Sequence, residues 1–199
     1  MATATPTLKF TIGQYDLMVE AGVFARSSAA GEPVREPPRI ELIKGEIVMM
    51  SPIGARHEEI VDRLAAWSFR CLPEDGARVR IQQSLGIPAR QSVPQPDVAW
   101  VQPRDYAARR PDAADALLVI EVADTSLQYD LGEKAAVYAA AGVPDYWVID
   151  TAAEIVHLLR LPGPLAYGEH RVAGRGESIA PLARPEAVLA VDSLFASRS

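Results

Sequence analysis

From Ala55 to Cys71, the residues Ile60, Val61, Leu64, Ala65, Trp67 and Ser68 recur at helical spacing, which predicts a helix with one face turned to a core. The pattern then changes. Ala116 to Ala123 is almost wholly apolar and short, which predicts a strand buried on both faces. Arg78 to Leu85 and Asp97 to Val101 read as two further strands. Arg39 to Met50 alternates around Lys44-Gly45, a two-residue turn that suits a β-hairpin ended by Ser51-Pro52. Ahead of it, Thr11 with Gln14 three residues on forms a capping-box pattern, so a helix should run to about Ala21 or Gly22. Arg26 to Pro38 carries Ser, Gly and Pro and reads as a loop. A further helix is expected over Asp130 to Ala141, with Asp130 as its cap, Glu133 in the third position and Gly142 beyond its end. Asp145 to Asp150 and Glu154 to Leu161 then read as strands around Thr151-Ala152-Ala153. The stretch after Pro162 is rich in Pro, Gly and Arg, with one short strand expected near Glu186 to Val191. Helices and strands mixed in this way predict an α/β fold in one domain, residues 1–199, with its core at about 39–161.

Three residues stand out against this pattern. Glu121 interrupts Leu117-Leu118-Val119-Ile120 and Val122-Ala123, where a carboxylate is costly to bury unless it is paired or binds a metal. Otherwise it reaches solvent at a strand end or meets an arginine. Asp97 opens its strand after Pro94-Gln95-Pro96. On its own it reads as a turn residue. If the two strands are antiparallel neighbours, the start of one lies beside the end of the other, and the carboxylates meet at one sheet edge. A divalent cation relieves the repulsion of such a pair. Lys134 shares a helical face with Val137, Tyr138 and Ala141 and should point inward at that same edge. A salt bridge to Asp130, four residues back, or a side chain that snorkels to solvent, is the competing role.

Composition sharpens the lysine. The chain holds 17 arginines and only three lysines, Lys9, Lys44 and Lys134, so a lysine on an apolar face raises the question of what arginine would not do there. Hydrophobic residues reach 49%, enough to bury a core. A single cysteine, Cys71, excludes an internal disulfide. No apolar run approaches the roughly 20 residues of a membrane span, and Met1 to Phe10 shows no basic start with an apolar stretch, so a cytoplasmic protein without membrane partners is expected. The net charge of −6 disfavours a broad nucleic-acid footprint but leaves room for a local cationic groove. Arg104, Arg109 and Arg110 are either such phosphate contacts or plain solvated loop. His57 lies on the apolar stripe of its helix, either as a satisfied histidine at a helix start or as part of a metal or phosphate shell. Glu41 and Glu46 flank the hairpin turn, where charges are common.

Glu41-Leu42-Ile43-Lys44-Gly45-Glu46-Ile47-Val48-Met49-Met50-Ser51-Pro52, followed by His57, resembles the opening of the Uma-two family of endonuclease-like proteins. Pro96-Asp97-Val98-Ala99, Val119-Ile120-Glu121-Val122 and Tyr129 to Tyr138 extend the resemblance, as does Gly142 to Asp150. It spans about residues 10 to 160 and implies the PD-(D/E)XK, restriction-endonuclease-like fold: a central mixed sheet flanked by helices, here with an N-terminal helix and hairpin extension. It further implies that Asp97 and Glu121, with the Val122 carbonyl, bind Mg²⁺ or Mn²⁺, and that Lys134 is the lysine of the motif. His57 then occupies the place where many superfamily members carry a helix-borne acidic residue. The chain departs from the simplest form of that motif, because Ala123 stands two residues after Glu121 where the lysine is expected. It also carries Ala123-Asp124-Thr125 where Leu-Ser-Pro is usual. The function implied is metal-dependent hydrolysis of nucleic acid, DNA foremost, and the resemblance admits a homodimer. The alternative is a nuclease-fold module that binds protein or nucleic acid without cleaving it.

Overall fold

The computed structural model describes residues 7–24, 39–50, 53–73 and 76–196. Its centre is a six-stranded sheet in the order β3 (Arg78–Ile81), β4 (Val98–Val101), β5 (Ala116–Ala123), β6 (Asp145–Asp150), β7 (Ile155–Pro162) and β8 (Tyr167–Ala173). β5 and β6 run parallel and every other neighbouring pair is antiparallel, so the sheet is mixed. The apolar run of β5 lies near the middle, where both faces of a strand are covered.

Helix α2 (Ala55–Cys71) covers one face. Trp67 stacks on Trp100 of β4 at 5.0 Å and on Trp147 of β6 at 5.9 Å between ring centroids. Stacked aromatic pairs add about 0.5–1.5 kcal/mol beyond their buried area. The opposite face packs Val119, Tyr146 and Val148 with Val137 and Tyr138. Tyr146 and Trp147 are both fully buried in these two cores, on opposite faces as consecutive strand residues must be.

A parallel pair needs a crossover, and the one between β5 and β6 passes through a short helix α3 (Leu127–Tyr129), a five-residue π turn (Asp130–Lys134) and α4 (Ala135–Ala140). The helical stretch therefore begins before Asp130. Asp130 is helical in its backbone and buried rather than an N-cap, since Ser126 already precedes the first turn. The inward face of Lys134, Val137 and Tyr138 is as the spacing predicts.

Helix α1 (Ile12–Glu20) carries the Thr11–Gln14 capping box. The hairpin pairs β1 (Ile40–Ile43) with β2 (Glu46–Met49) around Lys44 and Gly45, both at positive φ. The loop read over Arg26 to Pro38 and the Ser51-Pro52 stop lie outside the described residues, apart from their flanks. β3 stops at Ile81 instead of reaching Leu85, because Gln82 takes φ 50° and turns the chain. Past Pro162 the chain holds more strand than expected: β8 forms the sheet edge, and β9 (Ser178–Ile179) pairs with β10 (Leu189–Ala190) before α5 (Asp192–Phe195). Among the described residues no helix is long and apolar enough to cross a membrane.

Candidate active site

The pairing of Val98 with Ile120 in the antiparallel β4–β5 ladder puts Asp97 across from Glu121. Asp97 is buried, and three neighbours fix its carboxylate. The Val122 backbone N–H donates to Oδ2 at 2.9 Å, His57 Nε2 from the first turn of α2 lies 3.1 Å from the same oxygen, and Gln82 Nε2 donates to Oδ1 at 3.2 Å. Burial alone would raise the Asp97 pKa, but His57, the Val122 amide and Gln82 outweigh it and hold the group below the usual carboxylate range.

Glu121 sits on β5 with its Oε1 accepting from Lys134 Nζ and from the Tyr138 hydroxyl, each at 3.0 Å. Burial pushes its pKa well up; Lys134 opposes this, while Asp130, Asp97 and Glu41 add to it. Lys134 reaches inward from the π turn, and its amine also lies 3.0 Å from Glu41 Oε1 and 3.8 Å from Asp130 Oδ1. Burial would strip its proton, but Glu121, Glu41 and Asp130 more than offset that and raise its pKa, so Lys134 stays charged. Glu41, in β1, also accepts the Gln95 amide at 2.7 Å, which ties the hairpin to the approach to β4.

Together Asp97, Glu121, Val122, Lys134, His57 and Glu41 line a cavity of about 300 Å³. The spacing that led to Asp97, Glu121, Lys134 and His57 thus converges on one place. Glu41 belongs there too, although its position beside a hairpin turn gave it little weight. Its signal was the one that marked Glu121, a carboxylate inside an apolar run, Ile40-Glu41-Leu42-Ile43. Glu46 is exposed and faces Lys9 at 3.6 Å. The three arginines of the connector are elsewhere. Arg104 and Arg109 bind Asp115, at the other end of β5 from Glu121, and Arg110 pairs with Asp16. In the Ala123-Asp124-Thr125 segment, Asp124 lines the cavity and accepts the Thr151 hydroxyl at 3.0 Å.

Among the described residues no three His, Cys, Asp or Glu side chains form a ready cage for a metal ion. The donor set is smaller and harder: two carboxylates and one carbonyl. Two residues past Val98–Ile120 along the same register, Pro96 stands where a donor to the Val122 carbonyl would be, and proline has no N–H. Mg²⁺ takes one or two carboxylates and fills its remaining positions with water and phosphate. The crowding of Asp97, Asp130 and Glu41 that lifts Glu121 is charge that such a cation would relieve. The residues present fit it.

A sequence profile described as "Putative restriction endonuclease", Uma2, matches residues 29–192. The chain belongs to the Uma2 family. The solved structure of a "putative nuclease belonging to DUF820" from Anabaena variabilis is similar to it with a TM-score of 0.66 and 16% identity, covering 94% of this chain and 97% of that one. The nuclease-like α/β fold implied by the sequence is therefore the fold of this Uma2 protein, and family and fold together support a nuclease. No curated protein matches the chain.

Proposed function

We propose that this Uma2 protein is a Mg²⁺-dependent endonuclease that hydrolyses phosphodiester bonds, with DNA as its substrate. The observation that carries this reading is the meeting of Asp97, Glu121 and a protonated Lys134 in one cavity, with the Lys134 amine 3.0 Å from Glu121. Asp97, Glu121 and the Val122 carbonyl would hold Mg²⁺, and Mn²⁺ would serve in the same oxygen set. The ion, when bound, lowers the pKa of water and offsets phosphate charge. His57 and the Val122 amide hold the Asp97 carboxylate in one orientation, and Tyr138 does the same for Glu121. Lys134 keeps its proton and is positioned to orient the attacking water or to offset charge on the phosphate. In the reaction the water oxygen bonds to phosphorus, the ester P–O bond breaks, and the leaving oxygen takes a proton. The same reading has the protein act in the cytoplasm and admits a homodimer.

One observation favours the non-cleaving module instead. The Lys134 amine already faces three carboxylates, Glu121, Glu41 and Asp130, as a purely structural lysine would. The two readings separate in an assay of plasmid DNA and RNA with Mg²⁺ or with EDTA. The expected result is Mg²⁺-dependent DNA cleavage that falls more than about 100-fold in each of Asp97→Ala, Glu121→Ala and Lys134→Ala, the scale of losing one catalytic group. Cleavage indifferent to all three changes would assign the activity elsewhere.

A further inference from the structure

The acidic site has a second, cationic side that the hydrolysis reading leaves unused. Arg39 immediately precedes β1, and Tyr129 is the last residue of α3, so two separate segments bring them to the lining of the same cavity. Both terminal nitrogens of the Arg39 guanidinium and the Tyr129 hydroxyl are shielded from solvent, and none has a hydrogen-bond partner among the described residues. A native fold satisfies nearly all of its buried donors, and a guanidinium left alone is among the costliest to leave unmet. Here orphan donors from two elements border one cavity whose other lining is rich in carboxylates.

We propose that Arg39 and Tyr129 form an anion subsite that takes the non-bridging oxygens of a substrate phosphodiester. This rests on the nuclease reading for the identity of the anion. The chemistry suits it in three respects. A guanidinium offers two parallel N–H groups that match two phosphate oxygens, which a lysine amine does not. Burial raises the Tyr129 pKa, with Glu41 adding to it, so the phenol keeps its proton and remains a donor. Arg39 also supplies positive charge that Lys134, engaged by Glu121, Glu41 and Asp130, does not have to spare.

The test is binding of a short fluorescein-labelled DNA duplex, followed by anisotropy in EDTA so that no cleavage intervenes. Arg39→Gln should weaken binding roughly tenfold and Arg39→Lys by less, because charge remains but the fork is gone. Tyr129→Phe should weaken it about threefold, and inorganic phosphate should compete with the duplex on wild type more strongly than on Arg39→Gln. Circular dichroism melts establish that each variant is folded. If Arg39→Gln does not fold, Tyr129→Phe decides alone, because it removes one oxygen and leaves the ring in place. Duplex affinity unchanged in Tyr129→Phe and in any folded Arg39 variant overturns the subsite, even if Asp97→Ala still abolishes cleavage. Weakened binding in these variants supports it, even if cleavage proves independent of Asp97, Glu121 and Lys134 and the nuclease reading falls.

Discussion

At the scale of single residues, the site is organised around Lys134, which reaches Glu121, Glu41 and Asp130 from the π turn. Its importance was legible because lysine is scarce in this sequence and because a charge on an apolar face demands a partner. Glu121 was legible for the same reason, as a charge in a place that costs free energy, and Asp97 was legible through its expected antiparallel position beside Glu121. Gln82, Tyr138, Arg39 and Tyr129 gave no such sign, since their part depends on distances across elements that spacing along the chain does not encode. The arrangement makes a prediction for Lys134→Met in EDTA. Removing the ammonium leaves Glu121 and Asp130 buried without their cation, and breaking a buried pair in this way costs about 3–5 kcal/mol. Burial already raises both carboxyl pKa values above normal, with Lys134 opposing it, so in the variant they rise further. Groups raised in this direction favour the fold below their unfolded pKa, near about 4, and that contribution is lost as pH rises through the folded value. The deficit of the variant against wild type should therefore be largest at neutral pH and shrink towards about pH 4 in thermal melts. A deficit that does not vary with pH would show that lost packing, not uncompensated charge, is what matters.

At the scale of elements, two glycines separate what a helix and a hairpin require. Gly132 lies inside the π turn at an ordinary negative φ, and a methyl group added there would meet nothing within 4 Å. Gly132→Ala should raise stability by about 0.4–1 kcal/mol, because it narrows the unfolded ensemble without straining the fold. Gly45 is the opposite case. It holds φ +81° beside Lys44 in the hairpin turn, and an added Cβ would sit 3.0 Å from the Phe10 carbonyl oxygen, which itself lies in the segment that donates Phe10 N–H to Gly45 O. Gly45→Ala should cost about 1 kcal/mol or more, since alanine rarely adopts that conformation. Urea titration of the two variants reads both signs. The hairpin was legible from Lys44-Gly45, whereas the π turn was not. Nothing in Asp130 to Lys134 distinguishes i→i+5 from i→i+4 hydrogen bonding, and the contacts the turn makes, among them the Tyr146 hydroxyl on the Asp130 carbonyl at 3.0 Å, come from elements distant in the sequence.

At the scale of the whole molecule, the sheet was readable as far as burial wrote it into the sequence. β5 and β6, covered on both faces, declare themselves as apolar runs. β8 does not, because Gly168 to Val172 are exposed and the strand is held by its ladder with β7 rather than by a hydrophobic face. The opposite end of β5 from the site has an anchor of another kind. Asp115 is nearly inaccessible and is the receiver of Arg104 at 2.9 Å, Arg109 at 3.0 Å and the Asp112 amide at 3.2 Å. This clamp uses arginines that a nucleic-acid reading would have sent to phosphates, and it sets how the loop after β4 enters the sheet. Burial pushes the Asp115 pKa up, but the Asp112 amide and the two arginines outweigh it, and the group ends below the usual range. A carboxyl lowered in this direction contributes stability that is fully present above its unfolded pKa of about 3.9 and lost as pH falls through the folded value. Asp115→Asn should thus be less stable than wild type at neutral pH, by about 1 kcal/mol for the cap it weakens. The gap should close as wild type is acidified below about pH 4, because protonated Asp115 then resembles the amide. Denaturation midpoints of the two proteins across that range check it, and a gap that widens on acidification would mean that Asp115 is not the ionised partner of Arg104 and Arg109. Under the proposed nuclease function, DNA cleavage at neutral pH by folded Asp115→Asn should match wild type, because the clamp lies at the other end of the strand from Glu121.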